Sequence, residues 1–167
     1  MPYAPFYELF PEIAVKETRV LTVLNLPGLP PGEYGLLELY CNETDCDCRR
    51  VMFNITEAKS GEIKAVIGFG WESSEFYARW LGRNEPAAVR ELQGPALNTM
   101  SRQSTLAPVL LQQVALILAD ERYVERIKRH YAMYKAAVDP RLGRQAVRLR
   151  ATKTTQVRAK RKKRKKR

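Results

Sequence analysis

One histidine and three cysteines are all that this 167-residue chain holds of the two side chains most used for metal binding and nucleophilic chemistry. Three cysteines are too few, and odd in number, for a disulfide-stapled secreted scaffold, which leaves thiols or metal ligands in a reducing compartment. With a single histidine, a Ser-His-Asp or Cys-His hydrolase would have to be built on His130. Long apolar runs are missing too. The longest, Val114–Ala119, is far short of the roughly 20 residues that span a bilayer. Met1–Glu17 carries acids and prolines in place of the basic start and apolar core of a signal peptide. The expectation is a protein with no membrane association, cytoplasmic, or nuclear if the source is eukaryotic. Common catalytic signatures are also absent. There is no P-loop and no H-E-x-x-H, and Gly68-Phe-Gly70 lacks the third glycine of G-x-G-x-x-G. The Glu and C-x-x-C spacing of zinc deaminases does not occur.

Acidic residues are missing from one end only. Asp139 is the last acid, and 14 of the 29 Lys and Arg follow it, which leaves 15 bases against all 18 acids before it. The net charge of +11 therefore divides into a domain near −3 over residues 1–139 and a tail of +14 over residues 140–167. The end of that tail, Arg158, Lys160, Arg161, Lys162, Lys163, Arg164, Lys165, Lys166 and Arg167, has nothing to bury, and its like charges repel, so it is predicted to be disordered when free. Opposite a polyphosphate the same charges become favourable, because each neutralised phosphate releases condensed counterions. Nucleic acid, RNA or DNA, is the predicted partner, bound without sequence specificity, since phosphate contacts position and do not read bases. A solubilising extension, a nuclear-import signal or an anionic-lipid patch are the competing readings of the same charges.

In the domain, strand-like composition comes first. Arg19–Leu26, Gly35–Cys41, Arg49–Thr56 and Glu62–Phe69 are rich in β-branched and aromatic residues, with partial alternation, and their short connections exclude parallel crossovers. Leu26–Gly32, with three prolines and two glycines, is a loop, and Pro2, Pro5 and Pro11 oppose helix near the start. After Trp71 the period changes. Ser73 or Ser74 can cap a helix closed by Gly82, and Pro86–Leu92 is a second helix, stopped by Gly94-Pro95. From Thr105 apolar residues recur at helical spacing to Val138. One helix of that length would be about 50 Å long, so a break near Asp120 is expected. The predicted fold is α+β: a small antiparallel sheet of three or four strands over about residues 18–70, packed by C-terminal helices over about 74–138.

All three cysteines lie in Cys41-Asn-Glu-Thr-Asp-Cys46-Asp-Cys48, between two predicted strands. A hairpin there brings Cys41 opposite Cys46 and Cys48, and three thiolates fill three of the four places that tetrahedral zinc requires. His130, at helical spacing from Ile127 and Tyr134, is the candidate fourth ligand, with Asp45 or Asp47 as alternatives. Arg49 and Arg50 would offset the negative charge of such a site. A structural zinc is the predicted cofactor, and metal-free thiols are the plainer alternative. The stretch Tyr34–Val51, Y-G-L-L-E-L-Y-C-N-E-T-D-C-D-C-R-R-V, resembles a segment of uncharacterised bacterial proteins, some of which carry a C-terminal SEC-C metal-binding motif. That motif is absent here, since no cysteine follows Cys48. The resemblance implies a bacterial cytoplasmic protein with a metal-linked hairpin and implies no activity. Taken together, these features predict a non-enzymatic, zinc-binding protein tethered to nucleic acid by its tail, with the folded domain as adaptor or protein-contact module. The alternative is a metalloenzyme or nuclease with its site at the cysteine hairpin.

Overall fold

Six antiparallel strands form one sheet: β1 (Tyr3–Pro5), β2 (Arg19–Val23), β3 (Gly32–Cys41), β4 (Arg50–Glu57), β5 (Ile63–Gly70) and β6 (Ala96–Leu97). The computed structural model describes residues 2–83, 85–139 and 141, so Arg158 and Lys160–Arg167 lie outside the described residues. The α+β architecture is the one expected, and the sheet is larger than the three or four strands read from sequence. The extra strands, β1 and β6, span only three and two residues, too short for composition to reveal. The strand order is β1-β3-β4-β5-β6, with β2 also paired to β3. β1 pairs with Leu39–Cys41 and β2 with Gly32–Leu36, side by side along one edge of β3.

Between them run α1 (Phe6–Leu9) and α2 (Pro11–Glu17), which corrects the expectation that prolines keep helix out of this stretch. Pro11 is in the first turn of α2, where its missing N–H costs no helical bond and its fixed φ suits the helix.

Side-chain alternation sets the core. Tyr34, Leu36 and Tyr40 of β3, Val51, Phe53 and Ile55 of β4, and Ala65 and Ile67 of β5 share one face, in the register Leu36↔Ile55↔Ala65. Against them pack Leu110 and Val114 of α5 (Ala107–Leu118) and Tyr123, Ile127 and Tyr134 of α6 (Glu121–Val138). The break at Asp120 occurs as expected, with the Asp120 carboxylate accepting from the Arg122 N–H. On the opposite face, near the β5 end, lie α3 (Ser74–Leu81), capped by Ser73 and closed by left-handed Gly82, and α4 (Pro86–Gln93). Beyond β6 the free edge of β5 is met by a side chain: Gln103 Oε1 accepts from the Val66 N–H at 2.9 Å and its Nε2 donates to Val66 C=O at 3.1 Å.

Candidate metal centre

β3 ends at Cys41, and the turn that follows returns the chain past Cys46 and Cys48 before β4 begins at Arg50. The three Sγ atoms lie within 4.8 Å of one another, Cys41 and Cys48 buried and Cys46 half-buried. Tetrahedral zinc with bonds near 2.3 Å separates its sulfurs by about 3.8 Å, so thiols within 4.8 Å of one another are close to the spacing such a site requires. They can hold a metal ion.

Their ionisation is shared. The hydrogen bond from the Cys48 thiol holds Cys41 down to about 6, against burial, with Glu43 N–H, Cys46 and the charge of Lys135 acting in the same direction. Cys48 is pushed far up by that same hydrogen bond and by burial, and Cys46 is raised by burial and by Cys41. A metal held by all three sulfurs would draw off the protons they carry.

Helix α6 does reach this hairpin, but not through His130. Lys135, only 3 % exposed, donates from Nζ to Glu43 C=O at 2.5 Å. Tyr131 Oη lies 3.3 Å from Asp47 Oδ1 and 3.4 Å from the Arg49 backbone N. Arg49, at φ 48°, pairs with Asp47 and Glu72 and lies over the Phe76 ring. His130 is one turn away, buried, with Nδ1 2.7 Å from Glu38 Oε2 and Nε2 3.1 Å from Glu17 Oε2. Both ring nitrogens are therefore engaged by carboxylates, and His130 does not join the thiols. The helical spacing that put His130 on the buried face was read correctly, yet that face meets β3 at Glu38, well before the hairpin.

Of the two acids offered as alternatives, Asp45 pairs with Arg141 and Asp47 with Arg49, while Cys41 Sγ lies 3.9 Å from Oε2 of Glu43. Arg50 also departs from expectation, for its guanidinium runs along the sheet toward Gly68 and α4, donating to Glu91 C=O at 3.1 Å. Lys135 is the buried cation beside the cysteines. Sequence reading missed Lys135, Glu17 and the burial of Glu38, although Glu38 lies in the same alternating register as Tyr34, Leu36 and Tyr40, where a charge is conspicuous.

Comparison with protein-family models, with curated proteins and with solved structures returns no match to this chain. Among the described residues no helix is long and apolar enough to cross a membrane.

Proposed function

We propose that this is a non-enzymatic zinc-binding protein that associates with nucleic acid through its basic tail, the folded domain serving as adaptor or protein-contact module. The observation that carries the zinc reading is the convergence of Cys41, Cys46 and Cys48 on one point at the sheet's end. Soft thiolates at tetrahedral spacing suit zinc better than hard, oxygen-seeking cations. Three thiolates hold the metal in this reading, the fourth place is left to a group outside the cluster, and buried Lys135 offsets the charge. The nucleic-acid reading rests on the 14 bases and no acids after Asp139. Arg141, the first of these bases, is paired with Asp45 of the cysteine hairpin and with Asp139, so the reading rests on the bases that follow it.

Two measurements test this. Protein purified without chelator should contain about one zinc per chain, and a metal-free product overturns the zinc reading. Full-length protein should bind mixed RNA or DNA with an affinity that falls by orders of magnitude between low and moderate salt. A chain ending at residue 150 should keep its melting temperature and lose that binding, and equal binding by both chains overturns the assignment to the tail. A solvent molecule in zinc's fourth place would favour the metalloenzyme alternative.

A further inference from the structure

The sheet face opposite the core holds a cavity of about 360 Å³ between β1, β4, β5 and β6 and helices α3 and α4. Its volume falls within the range of small-molecule sites. Met52, Leu92 and Leu97 supply apolar wall, and Arg50, Tyr3 and Asn98 the polar groups.

Arg50 is the anomaly. It is 7 % exposed, and no carboxylate among the described residues forms an ion pair with it. One donor goes to Glu91 C=O at 3.1 Å, while Nε is buried with no hydrogen-bond partner. A guanidinium withdrawn from water without a counter-charge is costly and is normally paired. The Glu91 carboxylate also lines the cavity but is turned to Thr99, accepting its hydroxyl at 3.1 Å. The thiols are not the missing anion either, because the guanidinium extends away from them onto Gly68. A Cβ at Gly68 would lie 2.8 Å from the Arg50 terminal nitrogen, so that glycine is what admits the group. One further polar group is underused: Asn98 Nδ2 faces only the Met52 thioether at 3.7 Å, a weak acceptor, whereas the buried Tyr3 hydroxyl lies against the Cys48 thiol.

We infer that this cavity binds a small organic acid, its carboxylate held by Arg50 with Asn98 beside it and its apolar body lying against Met52, Leu92 and Leu97. A carboxylate fits the planar fork of a single guanidinium, and the apolar walls favour a hydrocarbon body over a bare inorganic anion. Among the described residues the site shares no side chain with the three thiols, and it adjoins them through Tyr3.

The test is calorimetric titration of full-length protein with phenylacetate and hexanoate, with their uncharged amides, and with inorganic phosphate. Either carboxylate should bind, and its amide should bind roughly tenfold or more weakly, as expected for loss of a charge-assisted pair. Arg50→Met should weaken the carboxylate by a similar factor. Ala88→Phe, which fills the cavity while leaving Arg50 and the tail intact, should abolish binding and serves as the decisive variant if Arg50→Met does not fold. Four results would each overturn the inference: no carboxylate binding at millimolar concentration, equal binding of acid and amide, unchanged binding by a folded Arg50→Met or by Ala88→Phe, or Arg50-dependent binding of phosphate alone.

Discussion

His130 and Glu38 meet inside the layer between α6 and the sheet, with Nδ1 2.7 Å from Oε2. The same carboxylate oxygen accepts the Tyr40 hydroxyl at 2.6 Å, the imidazole stacks on Phe6 at 4.4 Å, and its other nitrogen faces Glu17. One side chain thereby ties α6 to a central strand and to the N-terminal helices.

Replacing His130 with Ala should destabilise the fold by about 3 kcal/mol, since it strands a buried carboxylate beside a cavity. Zinc content should not change, because His130 does not reach the thiols. Urea unfolding and metal analysis on the same preparation check both halves, and loss of zinc from a folded variant would return His130 to the ligand set.

Glu17 gives the network a pH dependence. Burial would raise its carboxyl pKa, but the hydrogen bond with His130 and the charges of Arg129 and Arg126 outweigh that and hold it below the usual range. A depressed carboxylate contributes stability that is complete above its unfolded value, about 4.3, and is lost as pH falls through the lower folded value. With about a third of the side chain exposed, the contribution is modest. Glu17→Gln should lower stability modestly at neutral pH and flatten the acid limb of a stability-versus-pH curve, the two proteins converging once Glu17 is protonated.

Cys41→Ser and Cys48→Ser should each remove most of the bound zinc, because two thiolates and a hydroxyl no longer make a tight site. Lys135→Met should keep the metal but release it to a competing chelator roughly tenfold more readily, the usual scale for a group just outside the ligands. A Lys135 variant indistinguishable from wild type in that competition would remove this residue from the account.

Glycine positions separate space from conformation. At Gly70 a Cβ would lie 2.1 Å from Tyr77 Oη and 2.7 Å from Leu92 C=O. Tyr77 cannot yield easily, for it donates to Arg49 C=O at 2.9 Å. Gly70→Ala should therefore cost more than about 3 kcal/mol. Gly61, at φ 70° with nothing within 4 Å, should cost only about 1 kcal/mol on the same change. Thermal denaturation of the two variants gives the comparison.

Where a periodic pattern ran for seven residues or more, the chain disclosed its own elements. β3, β4 and β5, the Ser73 and Asp120 caps and the Gly82 stop follow from local chemistry, whereas β2, expected over Arg19–Leu26, ends at Val23. β1 and β6 were hidden because two or three residues carry no period, and α2 because Pro11 terminates or begins a helix depending on which side of it the chain turns. The thiol cluster was legible since all its members are near neighbours in sequence. The partners of His130 were not, as Glu17 and Glu38 lie 113 and 92 residues away, and only the packing of α6 across β3 brings them together.

The strands at the margins limit how other molecules can approach. With β1 and β2 laid along one side of β3, and β6 and the Gln103 amide bonded to β5 on the other, much of the backbone hydrogen bonding that could template a foreign strand is already used. The margins that remain are the outer edges of the short strands β1 and β2 on one side and β6 on the other. An extended partner strand can therefore meet only short edge strands, of five residues or fewer.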